Sequence, residues 1–163
     1  VDRARSGGAR VVVGGSAPGG DLSAGAFYRP TLVVDAAQDS EIVRDEVFGP
    51  VLVVLPFDSD DEGIALANDS VFGLAASAWT RDVFRSLRAQ REIHAGCVWI
   101  NDHIPIVSEM PHGGFGQSGF GKDMSQYSFD EYTQVKHVSM DITAVARKPW
   151  HRTVFTDPQN PPQ

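Results

Sequence analysis

The chain has 163 residues, 14 of them basic against 21 acidic, and a formal net charge of -7. That balance repels phosphate backbones and anionic surfaces, which argues against nucleic acid as a partner, and no apolar run approaches the roughly 20 residues a membrane helix needs. The single cysteine, Cys97, excludes an intrachain disulfide, and no His/Cys cluster has zinc spacing, so one cytoplasmic globular domain without a metal is the expectation.

The first residues, "VDRARSGGAR", read as the last turn of a helix closed by a glycine, and a start at Val1 points to the tail of something longer. Arg10 to Val13 is a short β-branched strand, followed by a Gly/Ser/Pro loop to Ala24 and a second strand over Thr31 to Val34. The run from Val51 to Phe57 has strand length and no alternation, so it is expected to be covered on both faces, as in a parallel sheet. Ser59 and Glu62 have capping-box spacing and open a short helix carrying Ile64, Leu66 and Ala67. "GLAASAWT" returns as a strand, Thr80 is expected to cap a second helix to about Ile93 with Val83, Phe84 and Leu87 on one face, and Gly96 to close it before the strand "CVWIN". Strand and helix alternate, which is the pattern of an α/β fold with parallel order.

From Asp102 to Met124 lie 23 residues rich in glycine and without periodicity, and loops of that length are usually functional. Ser128 with Glu131 forms a further capping box, Thr133 to Ile142 alternates as a half-exposed strand suited to pairing with another subunit, and a Pro-rich tail follows.

Two motifs in the long loop mislead. Gly114, Gly116 and Gly119 spell GxGxxG, but no βαβ unit begins there; Gly116 to Lys122 approaches a phosphate-binding loop, but Asp123 stands where a Ser or Thr should bind magnesium. Cys97 reads either as a small core residue or as a nucleophile of an independent hydrolase, His103 and His112 as hydrogen-bonded or functional loop histidines, and Glu46 and Glu109 as solvated acids or ligand contacts.

The stretch from "PTLVVDAAQDSEIVRDEVFGPVLVV" through "AGCVWIND" to "EMPHGGFGQSGFGKDMSQYSFDEYTQVKHV" resembles the C-terminal part of aldehyde dehydrogenases, in register from about Gly14 to Met140. The resemblance implies an α/β fold comprising part of that catalytic domain, a mostly parallel sheet with flanking helices over 1–132, then an oligomerisation strand over 133–145 and the tail over 146–163. It assigns Glu46 to the nicotinamide-ribose hydroxyls and Phe48 to the nicotinamide ring, with Gly49 and Pro50 fixing the turn behind them. Ile104, Ile106 and His112 are implied to line the aldehyde entrance, with Asn101 ending the strand that carries it.

"SEMPHGG" is similar to the aminobutyraldehyde (1-pyrroline) dehydrogenase branch, which implies ω-aminoaldehydes such as 4-aminobutanal as substrates and an acidic rim of Asp102 and Glu109 for the ammonium group. The cofactor implied is NAD, with NADP left open, and the assembly a homodimer or homotetramer. In that family a cysteine thiolate adds to the aldehyde, hydride passes to NAD, and a Glu-activated water hydrolyses the thioester. Those groups lie upstream in the family's order, so no catalytic residue is expected in 1–163, and Cys97 falls in the G-x-V-W-[IV]-N strand. Gly116 stands where relatives usually carry Lys. A truncated, non-catalytic interaction module is the alternative.

Overall fold

The computed structural model describes residues 1–145 and 148, in two units, Val1–Tyr132 and Thr133–Gln163. In the first unit, helix α1 (Asp2–Ser6) ends where the Gly7 N–H donates to the Arg3 and Ala4 carbonyls, as the glycine led us to expect. The Arg3 guanidinium forks onto Glu41, which ties this turn to a later segment.

Three β-branched runs then form one sheet in the order β1 (Arg10–Val13), β2 (Thr31–Val34), β3 (Val51–Val54). β2 and β3 run parallel, from Thr31 opposite Val51 to Val34 opposite Val54, and one helical turn, α2 (Glu41–Arg44), lies between them. That turn is too short to show a 3.6-residue period, which is why the sequence does not announce it. β1 and β2 are antiparallel, a departure from the expected parallel order. Their connection holds only a 3-10 turn, Gly20–Leu22, and lacks the crossover helix that usually joins parallel neighbours.

The core of this region is Ala9, Val33 and Ile42, against which Val51 and Val53 pack. The opposite face of β3 is open, with Leu52 62% and Val54 45% exposed, so the expected covering of both faces is met on one face only. An unalternating apolar run states that a strand can be buried twice; the covering layer must come from elsewhere in space.

Ser59 caps α3 (Asp60–Asn68) through a bond from the Glu62 N–H, while the Glu62 carboxylate reaches back to the Asp58 N–H at 2.7 Å. β4 (Phe72–Gly73) precedes β5 (Ala75–Ala78), and α4 (Val83–Glu92) carries the chain to β6 (Cys97–Ile100), parallel to β5. The cap of α4 is Asp82, whose Oδ1 accepts from the Phe84 and Arg85 N–H groups at 2.8 and 3.1 Å; Thr80 instead accepts from the Asp82 N–H. Val83, Phe84 and Leu87 are exposed. The helix ends at Ile93, before Gly96, whose place is set by packing: a Cβ there would lie 1.7 Å from the Gly113 carbonyl oxygen.

The long loop contributes β7 (Phe115–Gly116), antiparallel to β4, and leads to α5 (Ser125–Glu131). Ser128 sits inside α5 and caps nothing; the Glu131 carboxylate accepts from the Lys122 N–H at 3.1 and 3.2 Å.

In the second unit, residues 133–145 carry no helix or strand, so the strand expected over Thr133 to Ile142 is not formed. A strand exists only as half of a ladder, and no described residue offers it the other half; Val138, Met140 and Ile142 are exposed. Asp141 accepts from the Thr143 N–H and hydroxyl and pairs with Lys148. Apart from Lys148, the expected tail over 146–163 lies outside the described residues.

Candidate functional site

The stem of the first loop is held by Arg44, the last residue of α2. Its guanidinium donates to both carboxylate oxygens of Asp69 at 2.8 and 2.6 Å, to the Asp69 carbonyl at 3.0 Å, and to the Gln38 carbonyl at 3.1 Å. Hydrogen bonds from Arg44, then from Gln38, hold the Asp69 carboxyl below its ordinary range. Beyond this clamp the chain is extended at Asp45, and the Glu46 side chain is exposed, its carboxylate bonded to no described residue.

Phe48 follows with φ 51° and 91% exposure. Left-handed backbone is uncommon for an aromatic residue, and a ring in water gives up its burial energy. Behind it the Val51 N–H donates to Gly49 O at 2.7 Å and the Thr31 N–H to Pro50 O at 2.8 Å, so the loop closes directly onto the β2–β3 ladder.

The second loop leaves β6 at Asn101, itself left-handed at φ 54°. Its side-chain amide makes a reciprocal pair with the Thr80 backbone, accepting at 2.7 Å and donating at 2.8 Å, which fastens the end of β6 beside the end of β5. The His103 Nδ1 lies 2.7 Å from Ser77 Oγ, and the Trp99 indole donates to the Pro105 carbonyl at 2.8 Å. Between these anchors Ile104 is left-handed at φ 81° and 65% exposed, and Ile106 is also exposed. Asp102 and Glu109 are exposed, the first accepting from the His103 N–H and the second from the Ser108 hydroxyl.

His112 is half-buried, with Nδ1 2.8 Å from Asp123 Oδ1, and lines a recess of about 390 Å³ with Lys122, Asp123 and Glu131 among its walls. The Lys122 ammonium reaches the Gly113 carbonyl and lies 5.3 Å from the centre of the Phe115 ring. Gly114 and Gly116 of the misleading motifs serve close packing here. Gly116 has φ 58°, and a Cβ on it would stand 2.6 Å from the Val71 carbonyl oxygen, so the backbone here calls for glycine. Cys97 is half-buried, and no described His or carboxylate hydrogen-bonds its thiol, so the hydrolase reading lacks a base.

Glu46 and Phe48 thus share one loop and Ile104 and Ile106 another, while His112 stands in its own recess; no hydrogen bond among the described residues joins the first loop to the other two places. The Arg44–Asp69, Thr80–Asn101 and Ser77–His103 pairs, separated by 25, 21 and 26 positions, left no signal in the sequence. Among the described residues no helix is long and apolar enough to cross a membrane, and no three His, Cys, Asp or Glu side chains are grouped to hold a metal ion.

The architecture is that of an α/β protein, and it superposes on betaine aldehyde dehydrogenase from Staphylococcus aureus, solved in complex with NAD+, with a TM-score of 0.81 and 36% identity over 90% of this chain and 30% of that one. Residues 1–138 match the aldehyde dehydrogenase family. The chain is 44% identical over 132 residues to betaine aldehyde dehydrogenase of Bacillus subtilis, covering 80% of this chain and 27% of that protein. It is 40% identical over 150 residues to aminoaldehyde dehydrogenase 2, peroxisomal, of Pisum sativum, covering 92% and 29%. The chain therefore belongs to the aldehyde dehydrogenase family, whose members are oxidoreductases acting on aldehydes, and it spans under a third of the length of these relatives.

Proposed function

We propose that this chain supplies the C-terminal part of an NAD-dependent aldehyde dehydrogenase that oxidises aldehydes bearing a cationic nitrogen, ω-aminoaldehydes such as 4-aminobutanal among them, to carboxylic acids. The observation that carries the reading is the pairing of a Glu46 carboxylate without a partner among the described residues with a left-handed, 91% exposed Phe48 on a loop clamped by Arg44. An exposed carboxylate that no described residue engages fits two ribose hydroxyls, and an aromatic face turned to solvent at a cost to its own backbone fits a flat heteroaromatic ring. The dinucleotide, when bound, supplies the acceptor for hydride; NADP is the other form these two residues accommodate.

The remaining roles belong to this chain's own groups. Glu46 orients the ribose, Phe48 walls the ring, and Ile104 and Ile106 present an apolar, water-excluding lip to the aldehyde. The reading gives His112, steadied by Asp123, a further place at the aldehyde entrance, and Asp102 and Glu109 the attraction of the substrate's positive nitrogen. Relatives named for betaine aldehyde and for aminoaldehydes support that substrate class. No residue of 1–163 is assigned to bond making. In the assembled enzyme, residues 1–132 form part of the catalytic domain and 133–145 add a strand to a neighbouring subunit of a homodimer or homotetramer; this pairing is where the Thr133 to Ile142 segment gains its ladder. A cytoplasmic location belongs to the same reading.

The test is steady-state kinetics of the native polypeptide that contains these residues. Glu46→Gln should raise the KM for NAD roughly tenfold, as loss of a charged hydrogen-bond acceptor does, with the KM for aldehyde little changed. An unaltered KM for NAD would overturn the assignment.

A further inference from the structure

Ile104 is a β-branched residue at φ 81° that directly precedes a proline. Branching at Cβ disfavours positive φ, and the ring of a following proline confines the preceding residue to extended backbone, so this conformation is opposed twice. Such a residue persists only where its surroundings over-determine it.

The surroundings are specific. Ser77 and Trp99 are direct partners in the parallel β5–β6 pairing, and both side chains reach the same loop. Ser77 Oγ meets the His103 ring at 2.7 Å, one residue before Ile104; the Trp99 indole N–H donates to the Pro105 carbonyl at 2.8 Å, one residue after it. The two rings also meet edge to face, 5.5 Å between centroids at 72°. The His103 N–H is further fixed by the Asp102 carboxylate at 2.8 Å. Ile104 is therefore held from both sides by one cross-strand pair.

We infer that Ser77, Trp99 and His103 are positioning residues that set the aim of Ile104 and Ile106, and so the width of the aldehyde entrance. This rests on the dehydrogenase reading above for the word aldehyde, but not for the brace itself.

The experiment uses the native polypeptide that contains these residues, with two readouts: the backbone HN–Hα coupling and amide shift of Ile104 by NMR, and KM measured separately for 4-aminobutanal and for NAD. Trp99→Phe keeps an aromatic ring and removes the donor; Ser77→Ala removes the hydroxyl, and Ser77→Thr restores one. Trp99→Phe and Ser77→Ala should each move the Ile104 signals and raise the aldehyde KM about fivefold, the loss of one hydrogen bond, with kcat and the KM for NAD unchanged and Ser77→Thr close to wild type. Unmoved Ile104 signals, or parallel changes in both KM values, would overturn the inference. Wild-type protein that turns over no aldehyde, with Ile104 signals that still respond, would sink the dehydrogenase reading and leave the brace standing.

Discussion

Phe48 and Glu46 gain nothing from the described part of the fold: the ring is almost fully in water on a left-handed backbone, and the carboxylate has no partner among the described residues. Their neighbour Arg44 carries the structural duty of the loop by holding Asp69. At this scale the sequence spoke through the short run from Glu46 to Pro50, because residue types at fixed local spacing form a readable pattern. It was silent on Arg44, because a salt bridge to a residue 25 positions away leaves no local pattern. The acidic rim makes a separable claim. Glu109→Gln should raise the KM for 4-aminobutanal several-fold and leave that of an uncharged aldehyde of equal length alone, since only a cationic substrate feels the lost charge. Equal KM values for the two proteins with 4-aminobutanal would remove Glu109 from substrate recognition.

Helices and strands were found where period, capping and turn residues agreed, as at Ser59, and were misread where a capping pattern occurred without a helix start. Ser128 has the right spacing to Glu131 but lies in the middle of α5, and Thr80 gave way to Asp82, whose carboxylate serves two N–H groups at once. Asp82→Ala should therefore destabilise the protein by about 1 kcal/mol, read as a lower urea midpoint with an unchanged slope. The same substitution at Thr80, which accepts a single bond outside the helix, should cost less; a reversed order would restore Thr80 as the cap. The strand expected over Thr133 to Ile142 depends on more than its own sequence: alternation describes a residue set fit for pairing, and pairing needs a second strand.

Across the Val1–Tyr132 unit, where the buried apolar residues are as few as Ala9, Val33, Ile42 and Ala89, ion pairs join segments far apart in sequence, Arg3 with Glu41, Arg44 with Asp69 and Arg88 with Asp61, while Arg88 also pairs with Glu92 one turn along its own helix. Their arginine partners hold the Glu41, Asp69 and Glu92 carboxyls below the ordinary range. A carboxyl whose folded value lies below its unfolded one contributes fully above the unfolded value, near pH 4, and loses its contribution as pH falls through the lowered one. The melting temperature should thus be flat from neutrality to about pH 5 and fall on further acidification, and the pairs, being exposed, should contribute less in salt. A curve that stays level down to about pH 3 would show these pairs to be without consequence. The alternation of strands and helices was readable before any of this, but the layer that covers β3 was not, because coverage belongs to the arrangement of segments and not to any one of them.

The two left-handed side chains at Phe48 and Ile104 carry information about descent as well as about ligands. Glycine at either position would relax the backbone at once, so a lineage freed from the need to hold a dinucleotide or an aldehyde would drift toward it. A lineage that keeps a bulky side chain at both is paying in stability for contact with something outside the chain.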